Sequence, residues 1–353
     1  MSLALLVPGQ GGQHPEMLRW LDRGAETDSG TGTGTVAVAA PGPGSPNPPP
    51  AIDAGNLVTR AVGPGWRARL ADPQRAADNA FVQPLITAVA LQAWAQVSHA
   101  LAMPQDPDNP PGSRATHAPR LLAVAGYSVG EIAAAALAGA IDADGALSLV
   151  QQRAALMDAC DAARGSGLMG VSGLPEPQVM ACAEARSSIP GQAVWLAIRL
   201  DPQRAVLGGP REALLALQPV LEAAGARCQP LPVALASHTP LLDAAVAPWR
   251  AVLEGAGLRA PRVALACNAT GSVLRQPAAL VGAFGRQIAV TVRWDEVMDA
   301  LAERGPRCVL ELGPGTALSR AWNERHPAIP ARSVDEFGSA QAVAAWVRQQ
   351  SQA

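Results

Sequence analysis

Ser128 lies between two glycines in the segment AGYSVGEIAAAALAGAI, residues 125–141. A serine hydroxyl is a weak nucleophile at neutral pH, and it reacts only when a base lies within hydrogen-bond distance and a third group orients that base. The G-x-S-x-G spacing is informative where a strand precedes it and a helix follows, because the sharp turn between them exposes the serine. The alternative is an unreactive serine in a glycine-rich turn.

Few residues could serve as the base. The five histidines are His14, His99, His117, His238 and His326. His238 follows a strand-like apolar run in PVALASHTPLL, at the kind of strand end where α/β folds place catalytic groups; the alternative is a core or capping histidine. His326 precedes a proline near the end of a predicted helix, and it is a candidate base only in an α/β-hydrolase esterase, where the order is Ser, Asp, His.

A serine nucleophile also needs N–H donors for the oxyanion that forms when a carbonyl is attacked. The N–H of Val129 is a natural donor, because it opens the helix that follows the turn. A second donor could come from the loop PGQGGQ, which contains Gly9, Gln10 and Gly11. This loop lacks the G-x-G-x-x-G spacing of a dinucleotide site, and a simple tight turn is its alternative interpretation.

The elements that must position these residues are visible in the pattern of apolar residues. SLALLVP at the N-terminus and RLLAVAGYS before Ser128 predict buried strands, and VGEIAAAALAGAI is rich in helix formers. Helical spacing in 81–101 predicts a core helix. Ser128 therefore has the strand, turn and helix that its motif requires.

A second group of short elements lies between Gly165 and Ala234, where two strand–helix–strand units predict a small α+β subdomain inserted in a larger α/β domain. The alternation of strands and helices resumes after Pro240, so the chain returns to the large domain. Residues 24–56 are rich in glycine and proline and predict a flexible surface insertion.

Composition restricts the function further. The chain has 353 residues, 49% of them hydrophobic, and a net charge of −2, which favours neither nucleic acid nor an anionic membrane as partner. The five cysteines form no C-x-x-C pair, so we expect no zinc site, no other metal and no disulfide scaffold. No window approaches the roughly 18 apolar residues of a membrane span, and the N-terminus lacks the features of a signal peptide. We therefore expect a cytoplasmic protein.

Six segments occur in the order found in one family. They are VPGQGGQ, GYSVGE, QRAALM, ASH, QIAVTVRW and LELGPG, spread over nearly the whole chain. The sequence thus resembles the malonyl-CoA:acyl carrier protein transacylases and related acyltransferase domains. The resemblance implies a large α/β hydrolase-like domain, residues 1–164 and 235–353, with a small ferredoxin-like α+β subdomain inserted at 165–234.

The resemblance also implies roles for the residues named above. Ser128 would attack a malonyl thioester and form a malonyl-serine ester, and His238 would be its base, oriented by the backbone carbonyl of Gln287. The N–H groups of Gln10 and Val129 would bind the oxyanion. A carrier-protein thiol would then accept the malonyl group by the same steps in reverse, which is ping-pong kinetics.

The family's substrate-binding arginine matches Arg153. A guanidinium group holds a carboxylate with two parallel hydrogen bonds, and malonyl ends in a free carboxylate, whereas acetyl would leave the charge unpaired. The alternative for Arg153 is a solvated helix residue. Met157, one helical turn later, is predicted to line the pocket, with ordinary core packing as its alternative.

Two positions separate this chain from fatty-acid-synthesis members. These members usually have histidine at the position of Tyr127 and asparagine at the position of Ile198. GYSVGE together with RAALMDA and ASHTPLL is more similar to the malonate decarboxylase epsilon subunit, whose acceptor is a carrier subunit with a phosphoribosyl-dephospho-CoA group. The alternatives are a transacylase of fatty-acid or polyketide synthesis, with a phosphopantetheine carrier, and more distantly an esterase. Malonyl-CoA is the expected substrate of both transferases, and another ester is that of the esterase. No bound cofactor is expected in any of these cases.

Overall fold

A computed structural model describes residues 2–23, 56–101, 119–161, 165–187, 189–233 and 235–350. All of the predicted glycine- and proline-rich insertion except Asn56 lies outside these residues. The described strands are β1 Ser2–Val7, β2 Arg120–Gly126, β3 Ser166–Ser172, β4 Trp195–Asp201, β5 Arg204–Pro210, β6 Arg227–Pro230, β7 Ala264–Cys267, β8 Ser272–Leu274, β9 Val292–Arg293, β10 Cys308–Glu311 and β11 Ala331–Ser333.

The helices of the same residues connect and cover these strands. They are α1 Trp20–Arg23, α2 Leu57–Val62, α3 Trp66–Leu70, α4 Pro73–Ala76, α5 Asn79–Ala100, α6 Gly130–Leu137, α7 Ala143–Asp161, α8 Glu176–Ser187, α9 Arg211–Ala223, α10 Asp243–Gly255, α11 Pro277–Gln287, α12 Trp294–Ala302, α13 Ala317–Arg325 and α14 Ala340–Gln350. Short 3-10 helices lie at Pro240–Leu242 and Val334–Glu336.

The larger sheet has six strands in the order β11-β10-β1-β2-β7-β8, and all neighbours are parallel except β7 and β8. Its central strands are apolar along nearly their whole length, because helices cover both faces of a parallel sheet. The C-terminal ends of β1, β2 and β7 therefore lie side by side. The glycine loop after β1 and the turn that contains Ser128 meet at this edge, which is where open α/β sheets bind ligands.

The smaller sheet has five strands in the order β6-β3-β5-β4-β9. Its first four strands come from the sequence β3-α8-β4-β5-α9-β6 and are antiparallel to their neighbours. They pack on α8 and α9 around a separate apolar core that includes Met169, Leu207 and Leu217. The fifth strand, β9, pairs parallel to β4 and comes from outside the range 165–234 that the sequence predicts for this unit.

Helix α5 is the one described helix that is long and apolar enough to cross a membrane. This corrects the expectation that no window approaches a membrane span. However, 89% of its most apolar window is buried inside the protein, so its hydropathy reflects a central position in the fold. Gln83, on this helix, is fully buried and faces the candidate site described next.

Candidate active site

Ser128 occupies the turn between β2 and α6 with a φ of 54°, in the left-handed region that costs an L-residue about 1–2 kcal/mol. The two flanking glycines make the turn possible. A Cβ atom on Gly126 would overlap the backbone of Gly130, and a Cβ atom on Gly130 would overlap the carbonyl of Val7. The G-x-S-x-G motif is thus a steric requirement of a sharp, strained turn.

His238 is the histidine in contact with Ser128. Its Nε2 lies 2.8 Å from Ser128 Oγ, and its Nδ1 lies 2.7 Å from the backbone oxygen of Gln287. Because a carbonyl oxygen only accepts, Nδ1 carries the proton and Nε2 accepts from the serine hydroxyl. Burial, together with the charge of Arg153, lowers the pKa of His238 to about 3. The imidazole is therefore neutral at pH 7 and free to act as a base.

Of the predicted oxyanion donors, Val129 directly follows Ser128, and Gln10 directly follows Gly9 in the glycine loop. Within the described residues the N–H of Val129 has no acceptor, whereas the N–H of Ser128 itself is bonded to Asn268 Oδ1 at 2.9 Å. The glycine loop packs directly on the turn, since a Cβ atom on Gly9 would lie 2.8 Å from the carbonyl of Tyr127. The same Cβ position lies 3.4 Å from Ser128 Cβ, so the residue before Gln10 packs against the serine.

Two further bonds fix the glycine loop itself. Gln10 Nε2 donates to Asn79 Oδ1 at 2.9 Å, which ties the loop to the start of α5. The N–H of Gly11, a residue with a φ of 119°, donates to Gln13 Oε1 at 2.7 Å. The loop therefore has a defined shape before any substrate binds.

Arg153 lies on α7 and is only 2% exposed, which excludes the solvated helix arginine. Its two terminal nitrogens donate to Gln83 Oε1 at 2.8 Å and to Gln287 Oε1 at 3.0 Å. Burial lowers its pKa to about 10, so it remains charged at pH 7. The buried carboxyl of Glu131 is the titratable group that interacts with it; burial raises the pKa of this carboxyl to about 8, so it is largely protonated at pH 7.

Gln287 connects all of these groups. Its backbone oxygen accepts from His238, its side-chain oxygen accepts from Arg153, and its side-chain nitrogen donates to the backbone oxygen of Ser128 at 2.8 Å. The base, the buried cation and the serine are therefore joined in one hydrogen-bond network. Met157 is 2% exposed and packs in the large apolar core.

Tyr127 packs edge-on against Trp294, with ring centroids 5.1 Å apart. His326 lies elsewhere: its Nε2 is 3.2 Å from Asp299 Oδ1, and its ring packs on Trp322. The histidine that contacts Ser128 is His238, so the arrangement that the esterase alternative requires is not the one observed.

Three residues of the site, Gln83, Glu131 and Asn268, are absent from the sequence prediction. Each leaves a weak signal in the sequence. Glu131 is the one polar side chain of the apolar helix α6, Gln83 lies among apolar residues near the start of α5, and Asn268 is the first residue after the buried strand β7. A polar residue in such a position requires a buried partner.

No group of three or more histidine, cysteine, aspartate and glutamate side chains in the described ranges could hold a metal ion. The geometry instead suits acyl transfer: a strained serine, a neutral histidine oriented by a carbonyl, and N–H donors beside the serine. An α/β protein with this arrangement has the groups that ester formation on a serine requires.

The acyl transferase domain family matches residues 117–353, and the chain belongs to this family; it is an acyltransferase. It is 30% identical over 335 residues to the malonyl CoA-acyl carrier protein transacylase of Mycobacterium tuberculosis, a match that covers 94% of this chain and 96% of that protein. It is 33% identical over 208 residues to the human mitochondrial malonyl-CoA-acyl carrier protein transacylase, covering 56% of this chain and 53% of that one.

Solved structures share the fold. The crystal structure of MCAT from Mycobacterium tuberculosis has a TM-score of 0.75 at 27% identity and covers 98% of this chain and all of that one. A type II polyketide synthase acyl carrier protein in complex with its malonyl-transacylase gives a TM-score of 0.77 at 23% identity, covering 98% of this chain and 99% of the matched chain. At that identity the likeness shows the fold alone.

Proposed function

We propose that the chain transfers malonyl from malonyl-CoA to the thiol of an acyl carrier protein through a malonyl ester on Ser128. The buried cation Arg153, held through Gln287 in the same network as Ser128 and His238, is the observation that carries the proposal. The relatives named above act as malonyl transacylases, which supports the same substrate here.

The chemistry follows from the positions of the atoms. His238 Nε2 takes the proton of Ser128 Oγ as the oxygen attacks the thioester carbonyl carbon. The N–H groups of Val129 and Gln10 stabilise the oxyanion. Collapse of this intermediate breaks the carbon–sulfur bond, and His238 returns the proton to the leaving coenzyme A thiol. The thiol of the carrier then attacks the ester, and the same steps run in reverse.

Arg153 accounts for selection of malonyl. A guanidinium has five N–H donors, of which two are bonded to Gln83 and Gln287, so three remain for a carboxylate. The charge is buried and fixed before the substrate arrives, so binding a carboxylate requires little reorganisation. An acetyl group would displace water from the cation without replacing its charge, and this asymmetry favours malonyl.

The test is labelling with radioactive malonyl-CoA. We expect Ser128→Ala to abolish formation of the labelled protein, because no ester can form. Ser272→Ala is a matched control, since Ser272 is an exposed serine on the edge strand β8. Label on the Ser128→Ala protein at the level of the control would overturn the proposed mechanism.

We further propose that the acceptor is the carrier subunit of a malonate decarboxylase, with its phosphoribosyl-dephospho-CoA thiol. GYSVGE with Tyr127, RAALMDA and ASHTPLL support this acceptor, as does the apolar Ile198, which is buried on β4. The proteins named above include a malonyl CoA-acyl carrier protein transacylase and the malonyl-transacylase of a type II polyketide synthase, which supports the alternative, a phosphopantetheine carrier of fatty-acid or polyketide synthesis. Transfer rates from the labelled enzyme to the two carriers decide between them: faster transfer to the fatty-acid carrier would overturn the decarboxylase assignment.

We also propose that residues 165–234 form a ferredoxin-like subdomain within an α/β hydrolase-like domain. The order β6-β3-β5-β4 in a β-α-β-β-α-β unit, with antiparallel neighbours, supports this description.

A further inference from the structure

Asn268 is completely buried at the end of β7, and each of its hydrogen-bonding groups has a partner. Its N–H donates to Glu131 Oε1 at 2.6 Å, and its carbonyl accepts from the N–H of Arg293 at 3.0 Å. Its side-chain Oδ1 accepts from the N–H of Ser128 at 2.9 Å, and its Nδ2 donates to the carbonyl of Gly126 at 2.7 Å. The amide is therefore fixed in a single orientation.

The two side-chain bonds of Asn268 clamp the turn on both sides of Tyr127. One holds the last carbonyl of β2, and the other holds the N–H of the serine. Gln287 Nε2 adds a bond to the carbonyl of Ser128 itself. A left-handed φ at a non-glycine residue persists only where surrounding contacts determine it, and these three bonds are such contacts.

The clamp also affects the choice of oxyanion donor. Because the N–H of Ser128 is bonded to Asn268, it is not available to the substrate. The N–H of Val129 has no such partner among the described residues. The same bond thus fixes the direction of Ser128 Oγ toward His238 and leaves the next N–H for the reacting carbonyl.

Glu131 binds the backbone of Asn268. This buried carboxyl lies on α6, three residues after Ser128, and it accepts the backbone N–H of Asn268. The helix that follows the serine is thereby joined to the strand that carries the clamping amide. The bond spans 137 positions of sequence, so it forms only when β7 is placed beside β2.

We propose that Asn268 is a positioning residue that holds the serine turn in its strained conformation, and so aims the hydroxyl of Ser128 at His238. The proposal rests on the proposed function, because it takes Ser128 as the nucleophile. Asn268 itself touches neither substrate nor the reacting atoms in this scheme. Its loss should therefore slow acylation, while Gln287, whose Nε2 also lies 3.4 Å from Asn268 Oδ1, keeps its shorter bonds to Ser128 and Arg153 and with them the carboxylate pocket.

The first test is Asn268→Ala. We expect a fall in kcat for acylation by malonyl-CoA on the order of 100-fold, the size expected for displacement of a reacting group by about 1 Å, with little change in KM. Asn323→Ala is the matched control, because Asn323 also bridges backbone groups, through both the N–H and the carbonyl of Ala331, but on α13. An Asn268→Ala protein with the kcat of the control would overturn the proposal.

The second test is Asn268→Asp, which decides the matter if Asn268→Ala fails to fold. A protonated carboxyl group reproduces both bonds of the amide, since it accepts from Ser128 and donates to the carbonyl of Gly126. An ionised carboxylate cannot donate. We expect the rate relative to wild type to rise as pH falls, because protonation of the introduced carboxyl restores the donor to Gly126; the neighbouring titratable groups are Glu131 and His238. A ratio that does not change with pH would contradict the clamp.

A third measurement separates this proposal from the proposed function. Phenylmethanesulfonyl fluoride reacts with activated serines and carries no carboxylate, so it tests the turn without Arg153. We expect Asn268→Ala to slow this reaction as well. If wild type reacts with the reagent and is not labelled by malonyl-CoA, the malonyl proposal fails while the clamp still stands. If Asn268→Ala reacts with both reagents at wild-type rates and Ser128→Ala with neither, the clamp fails alone.

Discussion

Replacement of Arg153 by alanine is the sharpest test of substrate selection. The side chain is 2% exposed, and two of its N–H groups are bonded to Gln83 and Gln287, so the proposed malonyl carboxylate is the group that its remaining N–H donors would bind. Removing the guanidinium would leave that carboxylate buried without a cation. An acetyl group has no carboxylate, so its transfer should not be slowed by loss of the guanidinium.

The expected size follows from the cost of breaking a buried ion pair. Loss of one partner costs about 3–5 kcal/mol, which corresponds to roughly a 10²- to 10⁴-fold fall in kcat/KM for malonyl-CoA. For acetyl-CoA the buried, unpaired cation disappears, so kcat/KM should hold or increase. The ratio of kcat/KM for malonyl-CoA to kcat/KM for acetyl-CoA should therefore fall sharply. Arg153→Lys keeps a charge without the planar fork, and we expect an intermediate ratio.

The assay is the initial rate of ester formation with each coenzyme A thioester, measured over a range of concentrations. Arg320→Ala is the control, because Arg320 is an exposed arginine on α13. Equal losses for malonyl-CoA and acetyl-CoA in Arg153→Ala would refute the argument, since they would indicate a general structural defect. So would an unchanged preference for malonyl-CoA.

Three further predictions test other parts of the site. His326→Ala should leave ester formation within about twofold of wild type, because His326 pairs with Asp299; loss of activity in rate assays would revive the esterase alternative. Gly130→Ala should abolish soluble, active protein, since its Cβ atom would overlap the carbonyl of Val7. Gly282→Ala is the control, because the space around the added atom is open. This variant should raise the free energy of unfolding by about 0.5–1 kcal/mol in denaturant titrations. Acylation by acetyl-CoA should stay constant from pH 7 to about pH 5, because the pKa of His238 is about 3 and Glu131, with a pKa of about 8, is already protonated over this range. Arg153→Ala removes a positive charge that lowers the pKa of His238, so the acidic limb should move to higher pH.

The turn around Ser128 is the part of the site that local sequence predicts best. An apolar strand, two glycines and a run of helix formers occur within about twenty residues, and their geometry depends on local sterics. The structure shows the same order, with β2, the serine turn and α6. His238 could likewise be selected, because few histidines follow an apolar run.

The short strands were harder to predict. β9 has two residues and is too short for a periodic signal, yet it extends the small sheet beyond residues 165–234 by pairing with β4. Helix α5 shows the opposite problem. Its apolar composition fits either a membrane or a protein core, and only the packing around it decides between the two.

The sequence by itself determined which residues could do chemistry: a serine in a strained turn, a histidine at a strand end and an arginine one helix away. Only the tertiary structure decided how they are joined. Gln287 contacts His238, Arg153 and Ser128 across separations of 49 to 159 positions, and Asn268 holds the serine turn from 140 positions away. These bonds depend on the order of β1, β2 and β7 in the sheet, and strand order is set by packing of the whole core, which no local pattern encodes.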